Sequence, residues 1–259
     1  MAQITYPCFN RGRILKISML EDLRDFPRDM LDCFTESLSD GIVSGLTPIV
    51  EKDHITFSKG VIKHNGAVYL VRDLSAIQYG ETNTDVAIKI AFREESQEKD
   101  YKAQTFDFLI DHNMTIAENE IELGRFRLKA GAYLRSDYQS LEDMTTLYNT
   151  INVVHVKYAG YERPTISHLL LKYFAKEALA CNPPSHWDVS FALLCLNSLR
   201  IEKEVIVQYL RNRLNNDDLQ DTMNNTEMHR HLVKSLELIK REGSPRKRRM
   251  EQQAKVMLD

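Results

Sequence analysis

The chain has 259 residues, of which 43% are hydrophobic and 27% are charged, and its formal net charge is −3 at pH 7. This composition indicates a globular protein with a sizeable core and argues against a disordered or generally basic chain. Nucleic acid is therefore not expected as a partner of the chain as a whole. No run reaches the ~20 apolar residues that cross a bilayer, so we expect no membrane insertion.

Residues 1–40 are predicted to form an N-terminal helical arm. Ser18 and Glu21 have the spacing of a capping box, so a helix is expected to begin at Met19. Because Pro27 lacks the backbone donor that a helix interior needs, we expect it to end this helix and to start a second one. The second helix carries an apolar stripe that should face the core. Its members are Met30, Leu31, Phe34 and Leu38.

The clearest local signal is the Asn65-Gly66 dipeptide, which stands between two runs rich in branched apolar residues. Asn-Gly tolerates a positive φ at both central positions of a type I′ turn, and the twist of that turn matches the strands beside it. We therefore predict a β-hairpin of residues 55–62 and 67–71, with Gly60 at a bulge or kink.

Three more alternating runs follow the hairpin, at residues 86–92, 102–110 and 120–128. Branched and aromatic residues at a period near two are typical of half-buried strands, and Gly124 is expected to shift the register of the last run. Residues 41–140 are thus predicted to form a mainly antiparallel β domain, either a small sandwich or an open barrel.

The second half of the chain changes from strand to helix signals. Residues 141–164 are predicted as an extended connector, 165–243 as a helical domain and 244–259 as a basic tail. The predicted fold class is α+β, with N-terminal helices, a mainly antiparallel β domain that contains the Asn-Gly hairpin, and a C-terminal helical bundle.

Two helix starts in the helical domain can be assigned to capping residues. Thr165 or Ser167 is expected to cap the first helix, and Ser185 the second. Trp187 and Phe191 belong to an apolar stripe of the second helix, which we expect to lie in the core. The fourth predicted helix, residues 228–241, has apolar residues spaced for one face.

The four cysteines lack the paired spacing of a zinc site or a secreted disulfide framework. We expect reduced thiols in a protein made in the cytosol, with the last three cysteines as small buried hydrophobes. The four are Cys8, Cys33, Cys181 and Cys195.

The sequence lacks the common motifs of a catalytic site. A phosphate-binding loop needs a Gly-Lys dipeptide, which does not occur, and GxGxxG, HExxH and GxSxG do not occur either. His229 and His231 are two residues apart on a helix, so they point to different faces and do not suggest a metal site. We expect no enzyme activity, no cofactor and no metal, although carboxylates from distant positions could still meet in the fold.

The basic cluster of the tail has two interpretations. As a solvated, partly helical end it would have no partner; as an electrostatic tether it would bind an acidic neighbouring protein or nucleic acid. Four charges are few for tight nucleic-acid binding by a net acidic chain. The possible tether residues are Arg246, Lys247, Arg248 and Arg249.

Four stretches together resemble a family of tail and baseplate structural proteins from contractile-tailed phages, prophages and related particles. They are residues 25–46 (DFPRDMLDCFTESLSDGIVSGL), 60–71 (GVIKHNGAVYLV), 122–138 (ELGRFRLKAGAYLRSDY) and 149–179, which begins NTINVVHVKYAGYERP. In this family a short helix often precedes a small β domain with a recurring glycine-rich sequence pattern. The resemblance covers roughly residues 25 to 179.

The resemblance implies a building block that is not an enzyme. Several copies would be incorporated at the distal end of a tail, where the protein would link baseplate components or carry a fibre after synthesis in the bacterial cytoplasm. The expected partners are other phage tail or baseplate proteins within a symmetric assembly, and the expected location is the virion. The family pattern also gives a structural turn role to five residues: Gly41, Gly45, Gly60, Asn65 and Gly66.

Two rival functions stay open from the sequence. A hydrolytic phage protein with an unfamiliar site predicts a concave pocket with converging carboxylates or histidines of shifted pKa. A nucleic-acid-associated protein that uses the helical half and the basic tail predicts retention on DNA that falls steeply with salt.

Overall fold

The computed structural model describes residues 5–72, 76–97, 99–181 and 185–243. It confirms the α+β class, because an N-terminal helix is followed by antiparallel sheets and then by helices. The α-helices within the described residues are α1 (Ile17–Thr35), α2 (His168–Ala180), α3 (His186–Asn197), α4 (Lys203–Leu214) and α5 (Asn225–Glu242), and a 3₁₀ turn spans Glu142–Thr145.

The strands form small antiparallel sheets with the orders β1-β4-β5, β2-β3-β6 and β10-β7-β11, and β8 pairs with β9. The strands of the described chain are β1 (Gly41–Gly45), β2 (Pro48–Val50), β3 (His54–Phe57), β4 (Gly60–His64), β5 (Ala67–Val71), β6 (Ile77–Gln78), β7 (Val86–Phe92), β8 (Ser96–Gln97), β9 (Lys102–Ala103), β10 (Phe106–Asp111) and β11 (Glu120–Phe126).

The predicted Asn-Gly hairpin is confirmed as the pair β4–β5. Asn65 and Gly66 have φ values of 49° and 77°, and His64 pairs with Ala67 across the turn. The first strand was predicted too long, since residues 54–57 belong to the neighbouring sheet as β3. The chain changes sheets at Ser58, whose amide donates to the carbonyl of Thr47 at 3.0 Å instead of extending the hairpin.

Strand β7 is the most deeply buried strand of the β region. All seven of its residues are buried, and β10 and β11 pair with it on either side. The register of β11 shifts between Glu122 and Gly124, as the glycine predicted. Burial on both faces explains why the run has small or apolar residues at nearly every position rather than strict alternation.

Two predictions about the N-terminal helix were wrong: the capping box at its start and the break at Pro27. Helix α1 begins at Ile17, Lys16 is the N-cap residue without a side-chain cap, and Ser18 lies inside the helix, so the predicted capping box was wrong. Pro27 also lies inside the helix rather than between two helices. The proline is exposed on a helix that touches the body mainly near its end, so the carbonyl one turn before it can bond to water instead.

The four C-terminal helices pack on one another and on the β region through one continuous hydrophobic core. Ser167 caps α2 by accepting from the amide of Leu169, and Ser185 caps α3 by accepting from the amide of Trp187, each at 3.2 Å. The buried face of α5 includes Leu232, Leu236 and Ile239, as predicted.

An extended segment joins the β region to α2. Thr150 forms a bridge with Arg135, and Tyr158 forms bridges with Ile42 and Thr165. These isolated bridges supply partners for a backbone that belongs to no regular sheet. The connector therefore lies against both halves of the molecule.

Several side chains that were predicted to be buried are exposed. Cys33 is exposed on α1, and Trp187 is 67% exposed although its helix is largely apolar. On α1, Met30, Leu31 and Phe34 are also exposed, while Leu38 just after the helix is buried as predicted. On α1 the periodicity identified a continuous apolar face, which is exposed although Tyr6 packs edge-on against Phe26. On α3 the predicted stripe is divided, with Phe191 buried and Trp187 exposed.

Candidate interaction surface

The apolar face of α1, which we call the arm face, has more exposed large apolar side chains than any other element of the described residues. The helix is amphipathic, and Thr35 is its one buried residue. Phe34 is 75% exposed, and the other members range from 36% to 77%. A stripe of this width normally packs against a core. The arm face comprises Ile17, Leu20, Leu23, Phe26, Met30, Leu31 and Phe34.

The base of the arm is fixed by a buried lysine. Lys63 lies on β4, and its ammonium donates to the carbonyls of Thr35, Glu36 and Leu38 at 2.7, 2.8 and 2.7 Å. These carbonyls belong to the end of α1, where a helix leaves acceptors without partners and where a cation is favoured by the helix dipole. The direction of the arm is therefore set by the hairpin that the Asn-Gly turn closes.

A second apolar surface lies between α3 and α4. It is a groove of about 530 Å³. We call it the α3–α4 groove; its lining comes from α3 and α4, together with Asp221. Its exposed apolar members Trp187, Leu194 and Val205 are 67%, 41% and 42% exposed.

The floor of the groove is rigid. The rings of Phe191 and Tyr209 stack at 3.9 Å between centroids, and both side chains are 5% exposed. The Tyr209 hydroxyl donates to Asp188 Oδ1 at 2.7 Å, and Arg213 Nε lies 3.3 Å from the same oxygen. Burial raises the pKa of Asp188, which the hydroxyl and the guanidinium oppose by favouring the carboxylate.

A polar cleft separates the β region from the start of α5. It has a volume of about 750 Å³ and is lined by side chains of both signs, among them Lys157, Lys203 and Arg230. Glu122 in this cleft is held by Arg125 in a bidentate ion pair, with contacts of 2.5 and 2.8 Å. Both oxygens of the Glu122 carboxylate thus already accept hydrogen bonds from Arg125, which indicates a structural role.

A histidine beside this cleft is the nearest group that could act as an acid or base. Burial lowers the pKa of His155, and Arg125 lowers it further. Its Nδ1 lies 3.5 Å from the hydroxyl of Thr226, which is a long contact. No set of three or more metal-ligating side chains occurs within the described residues.

Lys89 of β7 is a fully buried charged residue in the β region. Its ammonium contacts Asp111 at 2.9 Å, Glu120 at 3.1 Å and the carbonyl of Thr115 at 2.8 Å. Burial alone would lower the pKa of Lys89, but the two carboxylates outweigh it and the pKa is raised. With all three ammonium hydrogens engaged, the cluster has the form of a structural ion pair.

The predicted turn residues occupy crowded or left-handed positions along β1 and its neighbour. Gly45 has a φ of 70°, and a Cβ there would collide with the carbonyl of Lys59. Gly41 begins β1, where a Cβ would lie 2.8 Å from the carbonyl of Lys157. At Gly60 a Cβ would lie 2.6 Å from the side chain of Leu46. At these three positions glycine therefore lets a neighbouring segment approach more closely than a residue with a Cβ would allow.

The possible tether residues of the tail, Arg246 to Arg249, lie outside the described residues. None of the helices in the described part of the chain combines the length and apolarity that a membrane span requires.

Comparison with known proteins gives coarse structural similarity only. No family model and no curated protein matches the chain. Two of the solved structures that it resembles contain TssK. A crystal structure of TssK has 7% sequence identity and a TM-score of 0.41 over 90% of this chain and 72% of that one. The TssK-TssF-TssG baseplate subcomplex of the type VI secretion system has 9% identity and a TM-score of 0.38, over 92% of this chain and 100% of the matched one.

Both TM-scores lie below 0.5, so these likenesses carry no argument about the site. Sequence reasoning identified the amphipathic stripe of α1 but placed it in the core. The sequence offers no signal that would have corrected this, because a stripe that packs on the chain's own core and one that packs on a partner have the same period.

Proposed function

We propose that this chain is a structural, non-catalytic component of the baseplate of a phage or phage-tail-like particle, where it joins neighbouring tail proteins or attaches a fibre. The observation that supports this best is the anchored helix α1, whose apolar face is largely exposed although Tyr6 packs against Phe26. A wide apolar stripe on a fixed helix is suited to bind another surface, because leaving it in water is unfavourable.

The size of the arm face supports an assembly contact. A half-exposed large side chain presents on the order of 100 Å². Seven such residues therefore offer roughly 700 Å², close to the ~800 Å² that each partner contributes to a standard interface. Exposed apolar area on the α3–α4 groove adds a second contact, which a subunit with neighbours on two sides requires.

The partners that we propose are other tail or baseplate proteins, with several copies of this chain in one particle. The second structural neighbour is itself a subcomplex of three baseplate proteins. Partners of that kind would suit the arm here, but the proposal rests on the arm itself. The mechanism is burial of apolar area at each contact, with the symmetry imposed by the particle.

A particle-incorporation experiment tests this function. In a strain that produces the particles but lacks this chain, plasmid-encoded wild type is expected to sediment with particles and to restore complete baseplates. Leu23→Asp on the arm face should lower incorporation by at least about 10-fold, since it places a charge in an apolar contact. Ser18→Asp places the same charge on the opposite, exposed side of α1 and serves as the matched control.

The proposal fails if particles made without the chain are complete and active, or if the wild-type protein stays in the soluble fraction. Retention of the purified chain on DNA that falls steeply with salt would instead favour the nucleic-acid role.

A further inference from the structure

We propose that the arm face of one copy docks in the α3–α4 groove of a second copy of this chain. This inference rests on the proposed function and specifies one of its contacts. Two different surfaces of the same chain thus bind each other. The contact is heterologous, because it does not pair identical faces.

The two surfaces are complementary in kind. An amphipathic helix that lies in an apolar groove with residues three and four apart as anchors is a recurring mode of recognition. The arm face offers Phe26, Met30 and Phe34 at this spacing, and each is at least 44% exposed. The groove offers exposed apolar walls over an ordered aromatic floor, Phe191 stacked on Tyr209.

Helix α3 supports the same conclusion independently. A helix that is apolar on all sides is normally buried on all sides. Yet α3 exposes Trp187 and Leu194 toward the groove at 67% and 41%, and Leu193 and Leu196 outside it at 53% and 38%. A surface of this kind needs a cover, and the arm face has the area of roughly 700 Å² that one side of a standard interface provides.

The arm is held away from the groove of its own chain. Three hydrogen bonds from Lys63 fix its base, and the polar side of α1, with Arg24 and Arg28, shares a cleft with the β8–β9 ribbon. Docking within one chain would require α1 to swing away from this position, which would break the hydrogen bonds from Lys63. A second copy can present its groove without disturbing them.

Charge favours the groove over a second arm as the partner. Between Ile17 and Thr35 the helix has five acidic and two basic residues, a net charge of −3. Pairing two arms would bring these like charges together, which opposes association. The groove repels the arm less than a second arm would, because Arg211 and Asp221 of its lining form an ion pair at 3.4 Å and only Glu204 is left as a net charge of −1.

A complementation experiment with two defective copies tests the inference on the purified full chain. Phe34→Asp disables the arm and leaves the groove, while Leu194→Asp disables the groove and leaves the arm. Each variant alone should be monomeric by light scattering at concentrations where the wild type associates, with affinity at least about 30-fold weaker. An equimolar mixture should form a complex with one copy of each, because one intact arm and one intact groove remain.

Matched controls keep the result specific. Ser18→Asp lies on the side of α1 opposite the arm face, and Leu193→Asp lies beside Leu194 but outside the groove lining. Both should associate as the wild type does, and circular dichroism should show the same helix content in every variant.

Three outcomes would overturn the inference: a monomeric wild type, a mixture that stays monomeric, or association of Leu194→Asp copies alone, which would indicate pairing of arms. Because the measurement uses this chain only, such a failure would leave the particle-incorporation result unaffected. A failure of incorporation with successful complementation would reject the baseplate role and retain the contact between copies.

Discussion

At the scale of single residues, the position of the arm depends on Lys63. Its side chain is 7% exposed, and its ammonium satisfies three carbonyls at the end of α1. A buried charge of this kind is tolerated when every hydrogen has a partner. The same bonds join β4 to the arm, so stability and arm direction are coupled through one side chain.

Replacing this lysine tests the coupling. Lys63→Met keeps the aliphatic length but leaves three carbonyls without their donor, and we expect a loss of about 2–3 kcal/mol in the free energy of unfolding. Hydrogen exchange should become faster at the end of α1. Lys59→Met changes an exposed lysine one residue before the same strand and should alter stability by less than about 0.5 kcal/mol. Equal effects of the two substitutions in urea unfolding would contradict this role.

At the scale of elements, α3 shows how one helix divides its residues between the core and a partner surface. Phe191 is 5% exposed and stacks on Tyr209, whereas Trp187, one turn earlier, is 67% exposed. Both residues are large and aromatic, so sequence alone gave them the same role. The structure separates them by burial.

This division gives a paired prediction. Phe191→Ala should lower the free energy of unfolding by about 3–5 kcal/mol, because it removes a buried ring and leaves a cavity. Trp187→Ala should change it by less than about 1 kcal/mol in the isolated chain, since most of its side chain is already in water. Urea denaturation of both variants checks the difference. A large loss for Trp187→Ala in the monomer would mean that the indole supports the fold rather than a contact.

The elements also show what the sequence could and could not predict. The Asn65-Gly66 turn was predictable because its φ requirements are local, and the strand β7 because its run of branched residues is local too. The single helix that continues through Pro27 was not predictable. A helix can accommodate a proline where the carbonyl that loses its partner can bond to water, and the sequence does not show which side of the helix is exposed. The groove was not predictable either, because it needs α3 and α4 to be placed side by side.

At the scale of the whole molecule, one core joins the sheets to the helices, and several histidines lie at its margins. His229 on α5 is 5% exposed, and its Nε2 donates to the carbonyl of Leu141 at 2.9 Å, which links α5 to the connector. Burial lowers the pKa of His229 below its ordinary value of 6.5. Burial also lowers the pKa of four others: His64, His155, His168 and His231.

These shifts determine the sign of the dependence of stability on pH. Because the folded-state pKa lies below the unfolded one, the unfolded chain takes up protons first as the pH falls below about 7. The free energy of unfolding should therefore be highest above the unfolded pKa and decrease toward pH 5. Asp188 and His54 act in the opposite sense, because burial raises the pKa of Asp188, the hydrogen bond to Asp53 raises the pKa of His54, and protonation of either group favours the folded state.

We expect the urea midpoint of the wild type to fall between pH 7.5 and pH 5. A histidine that binds its proton only in the unfolded state contributes up to about 1.4 kcal/mol per pH unit. His229→Gln keeps a side-chain donor but cannot titrate, so its midpoint should fall less over the same range. His186→Gln, at an exposed position, is the matched control and should retain the wild-type dependence. A wild-type midpoint that does not change with pH, or an equal fall in His229→Gln, would show that the neutral buried imidazole does not link α5 to the connector in the way that its hydrogen bond to Leu141 indicates.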